Sequence, residues 1–520
     1  MSKNQHFKIS DLKNPDDFNK FIRQFSTNTI IDSVYKISKE IYFGNCSIQE
    51  LSRHISERDI KNGNPLEQDM IIQPWQFADL VYQSVVCSND FRGINKLSYN
   101  MVLLILAQTN AFLDLKTKLV VSTLNKSLDI TLYMYGFGGE QFKYQTKNIF
   151  YRNLIRELYI LFDLGNRFKN DLDLESDIKA EIGVEWKDVI LVLFGIYLNG
   201  LLEPNVENAL QYLQFDESKN KEEIFNRVVK YYSADYSEIR SSDLGRQIFY
   251  SKPYVITQKN EIVSVSLYLN QFIVEHALFW ILRNLYSNKS KEESRKFITQ
   301  FGFLYEKYFE ELCDAFSISK IKIPECDRPR ADWKLSLCGY TVLVEQKSSI
   351  ISILIKQQDT NFEQYKREIT NKLSKGLVQL EETEEALGLK DTIKILLCYD
   401  EYLDSNILPA LLNDESSPVK NDGRYFLANT MEIEMLLELS STNPVLFKTI
   451  IEEMLRRNKE STHEGVNFFK IMRQNGWKTN SYYIDKKFEK YKELLRTIKN
   501  SHSKFKIKFK NKKDNYKEHK

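Results

Sequence analysis

The stretch ADWKLSLCGYTVLVEQKSS, residues 331–349, contains two alternating runs of apolar and polar residues on either side of a short turn. This alternation is typical of β-strands, in which residues two apart share a face. One face of the two strands carries their polar residues: Asp332, Lys334, Ser336, Glu345 and Lys347. The stretch therefore predicts a β-hairpin with a charged face and an apolar face.

The position of the turn decides which of these charges face each other. A turn at residues 339–340 pairs Asp332 with Lys347 and leaves Glu345 on the diagonal, within reach of a cross-strand neighbour. A turn at residues 338–339 instead places Asp332 directly opposite Glu345. In both registers the three charges lie on one face, unless an odd-length loop or a bulge interrupts the pairing.

Two carboxylates held close together repel each other, and their burial without a counter-ion is costly. A divalent cation removes this conflict, and hard oxygen ligands suit Mg²⁺ or Mn²⁺. A nearby ammonium group can orient or deprotonate a metal-bound water and stabilise charge that develops on a phosphate. Asp332, Glu345 and Lys347 therefore form a candidate site for phosphodiester hydrolysis.

The acid-x-Lys spacing by itself carries little information in a chain with 28% charged residues. The same spacing occurs at residues 59–61, 114–116 and 185–187. The triplet at 345–347 differs in two ways. It ends a predicted strand that is rich in β-branched residues, and the preceding strand of the hairpin carries an acid, Asp332, on the same face. This context favours a catalytic site over two ordinary strands that carry charges.

The predicted elements around the hairpin indicate an α/β fold. A helix at residues 295–316 comes first, and its apolar residues recur at helical spacing. They are Phe297, Phe301, Leu304, Tyr308, Leu312 and Phe316. The other predicted elements are a strand, a helix, two strands and a helix, at residues 319–323, 360–387, 392–400, 424–429 and 430–440. Together they predict helices packed on a mixed sheet.

This order of elements and these charged positions resemble the PD-(D/E)XK, or restriction-endonuclease-like, nuclease superfamily. The superfamily pattern is an acid at the start of one core strand and acid-x-Lys on the next. Asp332 and Glu345-Gln346-Lys347 match it, with alanine in place of the proline of the name. The resemblance covers residues 295–440 and implies a restriction-endonuclease-like α/β core with a central mixed sheet.

The resemblance also implies a function and the residues that perform it. It implies an endonuclease that hydrolyses the phosphodiester bonds of DNA with Mg²⁺ or Mn²⁺, in bacterial defence against phage or other foreign DNA. The implied metal ligands are Asp332, Glu345 and the backbone carbonyl of Gln346. The implied catalytic residues are the same two acids and Lys347. Glu306 matches the catalytic glutamate that many members carry on the preceding helix.

Two further sets of residues are candidates for nucleic-acid binding. Some members of the superfamily place a glutamine and lysines on the helix after the hairpin, and this chain offers Lys372, Lys375 and Gln379 there. The stretch 501–520 contains eight lysines and two acids, which predicts a flexible tail. Such a tail either aids solubility or binds phosphates. Its candidate residues are Lys506, Lys508 and Lys510.

The chain divides into three predicted regions. Residues 1–245 have mostly helical patterns without a fixed-period repeat, and we interpret them as a region for recognition, sensing or partner binding. Two apolar runs around a polar turn near residue 252 predict a hairpin that opens the nuclease-like region, 246–460. Residues 461–520 form a helical extension and the Lys-rich tail. We expect residues 1–245 to fold separately and to mediate any contact with a protein partner or a second copy.

Composition excludes several other classes of protein. The 520-residue chain has a formal net charge of +2, so any basic surface for nucleic acid must be local. Its six cysteines and six histidines lack the spacing of zinc sites, and the cysteines are predicted to be reduced. The first residues lack the apolar segment of a signal peptide, and the apolar stretches are too short or interrupted to span a bilayer. We expect a cytoplasmic protein without a membrane partner.

Two alternatives to an active DNA nuclease remain open from the sequence. The first is a nuclease fold that serves as a binding or scaffold module without catalysis. The second is a metal-independent ribonuclease of the HEPN type, whose R-x4-6-H motif is matched by Arg457-Asn458 and His463. Metal-dependent cleavage of plasmid separates the first alternative from a nuclease, and RNA cleavage without metal would favour the second.

Overall fold

The computed structural model describes most of the chain between residues 15 and 496. The described residues are 15–43, 76–91, 102, 105, 124, 128–133, 150–168, 172–324, 328–348, 362–399, 405–460, 466–477 and 483–496. They form a mixed α/β structure with one sheet of three strands and one of five. None of the described helices combines the length and apolar character needed to span a bilayer.

The helices of the first half surround one apolar core. They are α1 (Pro15–Ile22), α2 (Thr27–Phe43), α3 (Gln76–Cys87), α4 (Phe150–Leu158), α5 (Leu174–Ile182), α6 (Trp186–Gly200), α7 (Lys221–Tyr231) and α8 (Tyr236–Ser241). A π-helical segment, Tyr159–Leu164, and a helical turn, Gly165–Arg167, continue α4, and 3₁₀ segments lie at Glu207–Tyr212 and Gly245–Tyr250. The predicted helical character of this half is confirmed in the part of it that the structure describes.

The small sheet crosses residue 245, where the sequence analysis places a boundary. Its strands are β1 (Ser233–Asp235), β2 (Tyr254–Ile256) and β3 (Ile262–Ser264). The predicted hairpin is confirmed as β2 and β3, which pair antiparallel, and β2 also pairs parallel with β1. Backbone N–H of Val206 donates to the Ile262 carbonyl at 2.9 Å. The hairpin therefore belongs to the helical half and not to the region that follows it.

A long apolar helix, α9 (Leu267–Lys289), joins this half to the second sheet. The Ser266 hydroxyl accepts from Leu269 N–H and caps its start. The helix is kinked at His276, whose φ of −133° and ψ of 20° are non-helical. Because a kink leaves the next N–H groups without helical acceptors, Glu157 Oε1 accepts from Leu278 N and Phe279 N, at 3.1 Å each.

The second sheet contains the stretch 331–349 and has the strand order β4-β5-β6-β7-β8. Its strands are β4 (Ser319–Lys322), β5 (Trp333–Leu337), β6 (Tyr340–Lys347), β7 (Ile393–Cys398) and β8 (Tyr425–Asn429). The first three pair antiparallel, and β6, β7 and β8 run parallel. The helices around it are α10 (Lys291–Ala315), α11 (Phe362–Ala386), α12 (Ile407–Leu412) and α13 (Thr430–Thr442). The predicted helices and strands are confirmed, and α12 is an additional helix between β7 and β8 that the sequence analysis does not predict.

Helices cover both faces of this sheet, as its alternating residues require. Trp333 and Val344 point to one face, where Phe309 of α10 packs with its ring centroid 5.7 Å from that of Trp333. Leu343 and Leu396 point to the other face, beneath the apolar side of α11. The six predicted core residues of the helix at 295–316 are all buried. The sheet is thus the middle of three layers.

The helices α14 (Pro444–Glu460), α15 (Phe468–Gln474) and α16 (Asp485–Arg496) complete the described chain. Two residues of the HEPN-type motif lie on α14. Arg457 donates to Glu453 Oε1 at 2.6 Å, and the buried Asn458 amide donates to the Tyr425 carbonyl at 3.0 Å. His463 and the Lys-rich tail lie outside the described residues.

Candidate active site at the end of strand β6

The turn between β5 and β6 selects one of the two predicted registers. Cys338 and Gly339 form the turn with φ of 52° and 95°, so both adopt the positive φ of a tight type I′ hairpin turn. Leu337 pairs with Tyr340. Continued along the strands, this register brings Asp332 opposite Glu345, which is the second of the predicted arrangements.

Asp332 closes the end of the hairpin with its side chain. Its Oδ2 accepts from the backbone N–H of Gln346 at 2.7 Å, and its own N–H donates to the Val344 carbonyl at 3.1 Å. Partial burial raises the pKa of the Asp332 carboxyl, against the opposing effects of the Gln346 N–H and of Lys322 and Lys347. The carboxylate is therefore fixed at the strand end beside Glu345.

Glu345 is the most buried charge of the site, with 2% of the residue exposed. Its Oε1 accepts from Lys347 Nζ at 2.6 Å, and its Oε2 is buried and makes no hydrogen bond to the described protein. Burial raises the pKa of Glu345 to about 8, Lys347 opposes this shift, and the charge of Asp332 adds to it. An unpartnered carboxylate oxygen in a buried position is unfavourable unless a cation or a proton occupies it.

Lys347 links the strand to helix α11. Its Nζ donates to Gln379 Oε1 at 2.8 Å as well as to Glu345. The Gln379 amide in turn donates to the Arg330 carbonyl at 2.9 Å, just before β5. One turn along the helix, Thr383 Oγ1 accepts from Ala331 N–H at 2.7 Å. These bonds hold α11 against the segment that carries Asp332 and orient the lysine ammonium.

Gly376 allows α11 to lie directly over the site. A Cβ atom at this position would come within 2.4 Å of Leu396 Cδ1, 3.0 Å of Lys347 Cε and 3.5 Å of Glu345 Cγ. Real Cβ atoms do not approach other atoms as closely as the first distance. The absence of a side chain at Gly376 therefore lets the helix backbone cover the stems of Glu345 and Lys347.

Glu306 contacts a neighbour of Asp332. It is on α10 and forms an ion pair with Lys322 of β4. The Lys322 ammonium also lies 5.2 Å from the centroid of the Trp333 ring, and its charge lowers the pKa of the neighbouring Asp332. Glu306 is therefore connected to Asp332 through Lys322, and its catalytic role stays a prediction.

The remaining predicted site residues are spread along α11 and beyond. Lys372 and Lys375 precede Gly376 on α11, and the first is partly exposed and the second exposed. Gln379 accepts a hydrogen bond from Lys347, as described above, and its role in nucleic-acid binding stays a prediction. Lys506, Lys508 and Lys510 fall outside the described residues.

The residues present fit a hard divalent cation. Asp332 and Glu345 offer two adjacent carboxylates, and the Glu345 oxygen without a partner is the observation that favours a cation there. No group of three His, Cys, Asp or Glu side chains that could hold a metal is found within the described chain. An ion at this site would therefore need the Gln346 carbonyl or water as additional ligands, as Mg²⁺ commonly does.

Comparisons of the chain with models of protein families, with curated proteins and with solved structures find no match.

Three features of the site were missed from the sequence. They are the position of Lys322 beside Asp332, the bond from Lys347 to Gln379 and the close approach at Gly376. A glycine inside a long helical pattern is the one signal that could have indicated the close approach, since glycine is unfavourable in helices. The other two depend on the relative placement of distant segments.

Proposed function

We propose that the protein is a divalent-metal-dependent endonuclease with a restriction-endonuclease-like core. The observation that carries this proposal is the buried Glu345 oxygen without a hydrogen-bond partner, beside the Asp332 carboxylate and the Lys347 ammonium. A pair of carboxylates with one adjacent lysine suits hydrolysis of a phosphodiester, because it combines a cation site with a fixed positive charge.

Each residue of the site has a separate role in this proposal. Asp332, Glu345 and the Gln346 carbonyl would hold Mg²⁺ or Mn²⁺, which supplies an activated water and neutralises phosphate charge when bound. Lys347 Nζ, held by Gln379, donates a hydrogen bond to the attacking water or to a non-bridging phosphate oxygen. Glu306 and Lys322 stabilise the edge of the site and tune the Asp332 carboxylate.

The substrate and setting are part of the proposal. DNA is favoured over RNA, and defence of a bacterial cell against phage or other foreign DNA is the setting that the resemblance implies. The helical half offers a large surface for recognition of a trigger, a protein partner or a second copy of the chain. The Lys-rich tail would add affinity for phosphates in a salt-dependent manner.

Cleavage of supercoiled plasmid tests the proposal. We expect nicking by the full chain with Mg²⁺ or Mn²⁺, none with EDTA, and loss of activity in Glu345→Gln and Asp332→Asn. Glu385→Gln is a matched control, because Glu385 is an exposed acid on α11. Nicking that is equal in all three variants, or that persists in EDTA, contradicts the assignment.

A scaffold without catalysis is the second candidate, and one observation favours it. Both acids already have partners in the protein, since Lys347 donates to Glu345 and the Gln346 N–H donates to Asp332. These hydrogen bonds offset part of the cost of burying the two acids without an ion. DNA binding with no nicking under any metal, in the parent and in the variants alike, would support this candidate.

A further inference from the structure

A cavity of about 830 Å³ lies in the helical half, away from the acidic site. It is bounded by α7, the 3₁₀ segment Gly245–Tyr250 and the part of α9 around the kink at His276. Its volume lies within the range of about 300–1,000 Å³ that is common for small-molecule pockets. Neither the strands of the large sheet nor the residues of the acidic site line it.

The walls of the cavity are rich in aromatic side chains. Tyr231, Tyr250, Phe272 and Trp280 line it. The Tyr250 and Phe272 rings pack edge to face with centroids 5.8 Å apart, while Tyr231 and Trp280 are only partly buried. Aromatic walls of this kind favour a planar ring, which stacks or packs edge to face against them.

Three positively charged residues line the same cavity. Arg227, Lys230 and Lys252 line it together with a single acid, Glu181. Arg227 pairs with Glu223, and Lys252 pairs with Glu238. Lys230 is exposed, and no ion pair or hydrogen bond of its side chain is seen in the described part of the protein. The cavity thus offers an available cation for an anionic group.

We propose that this cavity binds a nucleotide, with its base between the aromatic walls and its phosphates toward Lys230. Three side-chain amides on the lining, Gln247, Asn284 and Asn288, can pair with the donors and acceptors of a base edge. A purely apolar ligand would leave Lys230 and the side-chain amides unused, and inorganic phosphate alone would leave the aromatic walls unused. A nucleotide uses all three features.

Fluorescent nucleotides test this site directly. The full chain is titrated into ATP and GTP that carry an N-methylanthraniloyl group, in EDTA so that no metal occupies the acidic site. We expect saturable anisotropy and energy transfer from Trp280 to the fluorophore. Trp280→Phe should reduce the transfer, and Lys230→Glu should weaken binding at least about tenfold by charge reversal. Lys448→Glu, an exposed lysine on α14, is the matched control.

Competition experiments show which parts of the nucleotide contribute to its affinity. Unlabelled nucleotide should displace the probe far better than the nucleoside or inorganic triphosphate does. No saturable binding by protein that circular dichroism shows to be folded overturns the proposal. The proposal is also overturned if inorganic triphosphate displaces the probe as effectively as nucleotide does, or if Lys230→Glu leaves the Kd of the probe unchanged. Because binding is read in EDTA, the result does not depend on nuclease activity, and Lys347→Ala should bind the probe normally.

Discussion

Lys347 donates hydrogen bonds to Glu345 on its own strand and to Gln379 on helix α11, at 2.6 and 2.8 Å. The ammonium group is therefore shared between a neighbour on the strand and a residue 32 positions along the chain. Since Gln379 also binds the backbone at Arg330, one short chain of bonds spans β6, α11 and the segment before β5. The position of the lysine depends on the helix as much as on the strand.

This arrangement separates the roles of the lysine and the acids. We expect Lys347→Ala to retain Mn²⁺ and to cut plasmid about a hundredfold more slowly, because it loses a stabiliser of transition-state charge. Glu345→Ala or Asp332→Ala should lose both the ion and cleavage. Calorimetry with Mn²⁺ beside plasmid nicking measures the two properties. If Lys347→Ala loses the ion as completely as Glu345→Ala, the division of roles is wrong.

Glu345 should make the metal-free protein less stable as the pH rises. Its pKa is raised to about 8 in the folded state, so the folded protein keeps a proton that the unfolded chain loses above about pH 4.3. Between these values the free energy of unfolding falls with pH, by up to about 1.4 kcal/mol per pH unit from this group. Glu345→Gln removes this contribution and should be most stabilised relative to the parent near pH 8.

Urea unfolding in EDTA at pH 5, 6, 7 and 8 measures this dependence. Asp332 and Lys347 interact electrostatically with Glu345, and Lys322 with Asp332, so the comparison is between parent and variant at each pH. Glu385→Gln serves as the exposed control and should show no such trend. A constant difference between the parent and Glu345→Gln across this range would mean that Glu345 ionises normally.

A methyl group at Gly376 should disturb both the stability and the site. Alanine is the better helix former, but its Cβ would meet the buried Leu396 and the stem of Lys347. We expect Gly376→Ala to lower the free energy of unfolding by about 1–3 kcal/mol through overpacking, and to slow cleavage. Glu385→Ala, exposed on the same helix, should do neither. A more stable, fully active Gly376→Ala protein would show that the helix can shift freely.

The small sheet indicates where the helical half ends. Because β2 and β3 pair with β1, and α9 packs against α4 and α6, a fragment of residues 1–245 lacks part of its own core. We expect this fragment to unfold without a cooperative transition, and a fragment of residues 1–290 to unfold cooperatively. Thermal circular dichroism of the two fragments tests this. A cooperative transition in the shorter fragment would restore the boundary at residue 245.

The Lys-rich tail should contribute to the affinity for DNA and not to the rate of cleavage. Removal of residues 501–520 takes away eight lysines and two acids, which should reduce the number of counterions released from DNA. The slope of affinity against salt should become shallower, while the rate at saturating DNA stays unchanged. Fluorescence anisotropy with a labelled duplex at several salt concentrations measures this. An unchanged slope would leave solubility as the function of the tail.

The fold around the hairpin was predictable because local patterns specify it. Alternation in residues 331–349 identifies both strands, and Asn429 with Glu432 caps α13 at the predicted start. The register of the two strands was not predictable, because turns at residues 338–339 and 339–340 are both compatible with the sequence. The turn that forms requires a positive φ at Cys338, which is unusual for a residue other than glycine. The bond between Lys347 and Gln379 joins segments whose distance in space no local pattern encodes.

The kink in α9 has a consequence for communication across the protein. At and just after the break, His276 and Trp280 line the cavity of the helical half. The neighbouring Phe279 ring packs against Phe301, with centroids 4.9 Å apart, and lies near Tyr399, whose N–H donates to the Lys347 carbonyl at 2.9 Å. If a ligand in the cavity shifts the angle of this break, the contacts of Phe279 connect that shift to the end of β6. An ion at the strand end that responds to the same shift would then, by thermodynamic linkage, change the affinity of the cavity by the same factor.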